Sequence, residues 1–377
     1  MIAINPPTIF SKLYPILTIG LMMTGCVLPA SVAPLQTAEL NNGYNPPARD
    51  LTSNSPLVLP RGVETDKTQT PFIMQTQPAS PSISTPVVVT PLPLNLAGFP
   101  AGSQTAITGM AWFSDTLVLL PQFPDLNAVA GQGAVFGIPR AVLQNAISER
   151  SSQAIELVKI PFLFQGIKAD LPNSVGFHSL AFSGSQVFST VLVNAGITTL
   201  YLVKGQVSQD LKRITLGNRV QISSQSDTKP APLFGSILMV AGKRIVLFET
   251  GIGSDAKASI SAALYDFSLT PQGIIPFPHL ESYLISVSST DAQGSFWGLS
   301  CVLPTKAENN LMTAATMEEF HFTEYGIERT ESPQLLFKLS NPSAHCPSGL
   351  ERLGIEGYLV VDPNLTSGLR ILYIPKP

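Results

Sequence analysis

The sequence predicts an all-β domain, a single β-propeller of five or six blades, set behind a disordered N-terminal tether. Five segments share one form: a short apolar-alternating strand, a two- to four-residue turn of Asp, Gly, Ser or Lys, then a strongly β-prone run. Their starts lie roughly 50 to 70 residues apart, which leaves room for about four strands in each interval. Only one stretch, 139–147 (PRAVLQNAI), reads as a helix.

Taken from the N-terminus, residues 13–23 (LYPILTIGLMM) form an apolar run of export-signal length behind Lys12. The run is too short to span a bilayer. It ends at Thr24-Gly25-Cys26, small residues directly before a cysteine. This resembles the bacterial lipobox, in which cleavage before the cysteine leaves a sulfur that carries diacylglycerol. Residues 1–25 are therefore expected to be a lipoprotein signal peptide and Cys26 a lipidated residue that tethers the chain to a membrane. An ordinary cleaved signal with a stray cysteine is the alternative.

Residues 26–97 are rich in Pro, Ser, Thr, Asn and Gln, with few charges. Proline removes backbone donors and drives its predecessor toward extended geometry, so neither helix nor sheet propagates. A flexible chain of about 70 residues has an r.m.s. reach of roughly 45 Å. The segment is expected to be a tether, with the alternative that Val87-Val88-Val89 adds a strand to the domain. The propeller is placed at 98–377.

Within that domain the five hairpins are 109–122 (GMAWFSDTLVLLPQ), 178–192 (HSLAFSGSQVFSTVL), 236–250 (SILMVAGKRIVLFET), 285–299 (ISVSSTDAQGSFWGL) and 349–362 (GLERLGIEGYLVVD). Turn residues and period-two alternation mark each as a β-hairpin. Stretches 198–203 and 260–269 are further strand candidates. With Cys26 lipidated, Cys301 and Cys346 remain as an even pair in an oxidising compartment and are expected to bridge, two buried thiols being the alternative.

Several of these stretches resemble blades of the phytase-like β-propellers, bacterial exported proteins described as having esterase-like activity of phytase. The stretches are GMAWFSDTLVLLPQFP, SVGFHSLAFSGSQVFSTV, the FWGLS segment and SGLERLGIEGYLVVD. The resemblance implies a glutamate after the Gly-Phe or Gly-Leu of the hairpin, aimed at a central channel where calcium or phosphate chemistry occurs. After Gly176-Phe177 the residue here is His178. Ser348 stands where an acid is expected before Gly349-Leu350, and no acid flanks Phe234-Gly235-Ser236. Glu249 alone keeps a carboxylate in a family-like place. Calcium takes six to eight oxygen ligands, several usually from carboxylates, so no cofactor is expected.

The expected function is that of a non-catalytic ligand- or partner-binding propeller of the bacterial cell envelope. The chain would be lipid-anchored, facing the periplasm or the surface, with His178 and Glu249 at its ligand site. The alternative is a calcium-dependent phosphoesterase or esterase drawing on Asp115, Glu249, Asp291 or Asp362. A net charge of −3 at pH 7 gives no electrostatic footprint for nucleic acid. No HExxH, Walker-A or GxSxG sequence occurs. Gly131, Gly133 and Gly137 lack the spacing of a dinucleotide fingerprint and read as a turn.

Four histidines occur, His178, His279, His321 and His345. Glu319 and His321 share one face of a strand whose other face carries Phe320 and Phe322, the pattern of a solvent face above a packed one. Trp112 and Trp297 fall on the first and second strands of their hairpins and are expected between blades. Glu328-Arg329 and Glu351-Arg352 read as acid–base neighbours that stay solvated or clamp blades, contributing less than about 1 kcal/mol if exposed.

Overall fold

A computed structural model describes residues 85–99, 106–123, 132–165, 175–194, 197–226, 237–252, 258–278, 280, 284–301, 312–323, 326–343, 346–362 and 368–377. The chain enters through β1 (Val87–Val89) and β2 (Leu92–Ala97). The first antiparallel unit is β3 (Ile107–Phe113), β4 (Thr116–Pro121), β5 (Gln132–Pro139) and β7 (Val158–Phe164); between β5 and β7 come α1 (Arg140–Ser148) and β6 (Ile155–Glu156), which pairs in parallel with β2. The second is β8 (Val175–Ser183), β9 (Gln186–Asn194), β10 (Ile197–Val207) and β11 (Ile214–Ser226). The third is β12 (Ile237–Ala241), β13 (Arg244–Ile252), β14 (Ala258–Asp266) and β15 (Pro271–Pro276). The fourth is β16 (Leu284–Val287), β17 (Ser295–Cys301), β18 (Met312–Phe322), β19 (Ile327–Arg329) and β20 (Leu335–Ser343). The last is β21 (Ser348–Leu353), β22 (Gly357–Val361) and β23 (Arg370–Pro375), completed by β2, which pairs antiparallel with β23.

The first strands of these units make the ring. β3 packs on β8, β8 on β12, β12 on β16, β16 on β21, and β21 returns to β3. Among the described residues the fold is thus a β-propeller with five blades, closed by an N-terminal strand in the last blade. The two outer strands β7 and β11 pair in parallel, so the first two blades form one continuous eight-stranded sheet.

The five hairpins marked in the sequence are the inner two strands of the five blades. Their apolar runs follow from burial on both faces. On β4, Leu117 and Leu119 pack toward the last blade while Val118 and Leu120 pack toward the second, all four fully buried. On β22, Leu359 and Val361 face the first blade, and Tyr358 and Val360 face the fourth. Each of the five apolar clusters fills one gap between neighbouring blades. Trp297 lies in the gap between the fourth and fifth, its ring 4.8 Å from that of Tyr358.

Two expectations shift. The domain starts before residue 98, because β1 and β2 are strands of it: β1 extends the fourth blade beside β20. This is the alternative foreseen for Val87-Val88-Val89, and it reaches further, to Ala97. Proline spacing hid it: Pro91 and Pro93 flank Leu92 yet leave Leu94 buried at the seam. Pro139 precedes the helix as its cap, with φ −62° and ψ 139°. α1 turns Leu143 and Ala146 inward.

Cys301, at the end of β17, is bonded to Cys346, just before β21, with Cα atoms 5.9 Å apart. The bridge staples the fourth blade to the fifth across a sequence separation of 45. Replacing both cysteines with serine is expected to cost about 2–4 kcal/mol. Denaturant melts of the oxidised protein and the double variant measure it; coincident melts would contradict it.

Candidate functional site

The inner strands leave a central channel with a cavity of about 70 Å³, space for a few ordered waters. Four of the five inner strands carry a bulge at the same level, at Thr108, His178, Ile285 and Gly349. A bulge inserts an unpaired residue and re-aims its side chain, and this puts His178 in the channel wall. Gly349 sits at φ +64°, and a Cβ there would come 3.0 Å from the Cβ of Met110, so this bulge needs glycine. Thr108 donates its hydroxyl to the carbonyl of Phe177 at 2.5 Å, tying the first two blades together at this level.

His178 has no hydrogen-bond partner among the described residues. Burial lowers its pKa to about 4, so the ring is neutral at pH 7. The acid in the channel is Glu351 on β21, only 4 % exposed. Its Oε2 accepts the Ser289 hydroxyl at 2.7 Å and, more weakly, the Ser289 amide at 3.4 Å. Ser288 holds the turn beneath, donating to the Ser289 carbonyl and accepting the Trp297 amide, both at 3.0 Å. Burial pushes the Glu351 carboxyl up to about 7, against the opposing pull of the Ser289 hydrogen bonds and the Arg352 charge.

Arg352 turns away from Glu351, as adjacent strand residues must. Its guanidinium reaches Asp291 at 2.9 Å and Glu319 at 3.4 Å, and it also donates to the Ser295 carbonyl. Asp291 shapes its own turn by accepting the amides of Gln293 at 3.0 Å and Ser295 at 2.7 Å. Burial alone would raise its carboxyl; the Ser295 amide and the Arg352 charge outweigh this and hold it below the usual carboxylate range. Glu319 also accepts from Ser332 and Thr330, and the Ser295 hydroxyl meets Nδ1 of His321 at 3.2 Å. Trp112 joins the first blade to this cluster by donating its indole N–H to the Arg352 carbonyl at 2.7 Å.

Of the residues named from sequence, His178 is in the channel. Glu249 is described only through its backbone, opposite Ser261 on β14. Cys26, His279 and His345 lie outside the described residues, as does the signal segment. Glu319 and His321 do share a face, with Phe320 buried behind them. Asp115, Asp291 and Asp362 do not converge: each pairs with a different arginine, Arg140, Arg352 and Arg370. The solvated reading of Glu351-Arg352 is overturned, since Glu351 is buried and the two do not pair with each other. Among the described residues no group of three or more His, Cys, Asp or Glu side chains is arranged to hold a metal ion.

The two channel groups set opposing pH slopes. A carboxyl whose folded pKa is raised stabilises most below its unfolded value near 4.5 and loses that contribution as pH rises to about 7. An imidazole whose folded pKa is depressed contributes fully above 6.5 and loses it as pH falls toward 4. Their slopes oppose each other between about 4.5 and 6.5, and above that Glu351 acts alone. Glu351→Gln is therefore expected to gain stability relative to wild type as pH rises from 5 to 8, by on the order of 2–3 kcal/mol. Parallel melting curves across that range would contradict the burial of Glu351.

No family model matches the sequence, and no curated protein does. Solved structures do. The Bacillus subtilis arabinanase is 11 % identical at a TM-score of 0.40, covering 72 % of this chain and 94 % of its own. The Cellvibrio cellulosa α-L-arabinanase is 10 % identical at 0.37, covering 70 % and 89 %. The Nup133 β-propeller domain of Vanderwaltozyma polyspora is 8 % identical at 0.30, covering 54 % and 56 %. At these values the likeness carries nothing about activity, and the propeller rests on the closed strand ring.

Proposed function

We propose that the chain is an exported bacterial lipoprotein, a degenerate relative of the phytase-like propellers, whose propeller binds a ligand or partner in the cell envelope without catalysis. The observation that carries this reading is the engagement of four of the described acids. Glu351 is held by a serine, and Asp115, Asp291 and Asp362 are each bound to their own arginine. Hydrolysis needs a carboxylate left to act as base or metal ligand with a nucleophile at hand. Two of these contacts, Glu351 with Ser289 and Asp291 with Arg352, tie the fifth blade to the fourth and hold that side of the channel rigid, which suits recognition.

The anchor rests on the apolar run that ends at Thr24-Gly25-Cys26. In a bacterium fed radiolabelled palmitate, the full chain is expected to take up label and sediment with membranes, and Cys26→Ala to do neither. Label on the variant would refute lipidation at Cys26. The same membranes, given nitrophenyl phosphate and nitrophenyl acetate with millimolar calcium, should hydrolyse neither above the rate of membranes lacking the protein. Calcium-dependent turnover would overturn the non-catalytic reading.

A further inference from the structure

We infer that the central channel takes a small organic ammonium ion, a primary amine with a short alkyl body, held by Glu351. This deepens the binding role proposed above and rests on it. Glu351 lines the cavity, and its carboxylate, held by Ser289 and by the Arg352 amide, keeps acceptor capacity for a further donor. Neutral acceptors surround it. The hydroxyl oxygen of Thr108 keeps lone pairs after donating to Phe177, and Ser286 lines the same wall. Met110, Leu238 and Val287 supply apolar wall for a short alkyl group. A cavity near 70 Å³ admits an ammonium head and a few carbons. A divalent metal would want more anionic oxygen than one carboxylate provides.

The charges facing Glu351 favour a cation. Glu351 is the one carboxylate among the described residues that line the cavity; Asp291 and Glu319 share Arg352 on the other side of β21. From the second blade comes His178, neutral above about pH 4. On β22 the Tyr358 phenol is pushed up to about 12 by burial and stays neutral. Among the described residues of the first and third blades that line the channel, none is ionisable. An ammonium ion would favour the ionised carboxyl, so binding should release a proton near neutral pH.

The test titrates n-propylammonium chloride into the full chain, with sodium chloride at equal ionic strength and 1-propanol as comparators. At pH 8 the amine is expected to bind saturably by calorimetry and raise the melting temperature by a few degrees, while neither comparator does. Affinity should fall about thirty-fold between pH 8 and pH 5.5 as Glu351 takes up its proton. Glu351→Gln should keep a native melt and lose the response. An equal shift with propanol or sodium, or unchanged affinity in Glu351→Gln, overturns the ammonium site. So does the absence of any response in the wild-type chain, a comparison that needs no variant. Absence of response together with nitrophenyl phosphate or acetate turnover would overturn the binding role as well; absence with no turnover would remove only the ammonium.

Discussion

A chain that begins at residue 98 is expected not to fold, whereas one that begins at residue 85 should melt cooperatively. The difference is β2, which supplies the outer strand of the last blade and seals it to the chain's opposite end: Leu94 pairs with Ile371 and Leu92 with Tyr373. Without it Ile371 and its neighbours on β23 lose their partner strand, and the cluster between the last and first blades opens to water. Leu94 is only 1 % exposed in that cluster. Leu94→Ala alone is expected to cost about 2–5 kcal/mol, a large part of a domain's usual margin of roughly 5–15 kcal/mol. Loss of the whole strand exceeds that margin. Denaturant melts followed by tryptophan fluorescence and circular dichroism measure both. A cooperative, wild-type melt from the shorter chain would mean the ring closes without β2.

Asp362→Ala should be the most costly single change among the ion pairs. The Asp362 side chain is 2 % exposed and that of Arg370 13 %, with 2.7 Å between their charged atoms. Backbone hydrogen bonding between the same residues joins β22 to β23. Removing one partner leaves a guanidinium with its charge uncompensated in a low-dielectric site, which costs about 3–5 kcal/mol. Replacing both, as Asp362→Leu with Arg370→Met, removes the stranded charge and is expected to recover much of the loss. Equal destabilisation by the single and double variants would show that the aspartate matters through contacts other than this arginine. Arg140 and Asp115 make the instructive contrast: the Asp115 side chain is 87 % exposed, and Asp115→Ala should shift stability by less than about 1 kcal/mol.

What the sequence makes legible is what local chemistry decides. Turn residues between alternating strands mark a hairpin wherever they occur, so all five inner hairpins could be found. Of three cysteines, Cys301 and Cys346 remained as a pair once Cys26 was set aside, and of the two readings then open the structure has the bridge. Ring closure was not legible, because β2 and β23 are brought together only by the completed circle, and no local pattern at Leu92 or Leu94 encodes a partner at the far end of the chain. The site was half legible. His178 stood out because it follows Gly176-Phe177, where the resemblance to the phytase-like propellers implies an inward glutamate. Glu351 did not, because its neighbour Arg352 invited reading the two as a pair. Strand geometry was the missed signal: adjacent residues point to opposite sides, so an acid next to an arginine on a strand needs a separate partner for each. The serine that holds Glu351 comes from a turn after β16, and nothing near Glu351 in the sequence announces it.

Ring closure is best tested by a covalent bond across the seam. Leu92 and Tyr373 face each other on β2 and β23, and opposed residues of an antiparallel pair lie about 4.5–5.5 Å apart at Cα. With Leu92→Cys and Tyr373→Cys in the otherwise unchanged full chain, oxidation of the native protein should give a peptide pair joining the two ends, identified by mass spectrometry. The bond should be absent when oxidation follows unfolding and dilution in denaturant. Efficient formation in the native state means the five blades close through β2 and the channel around Glu351 exists. Free thiols at both positions in a natively folded protein would contradict the closed ring, and with it the site built at its centre.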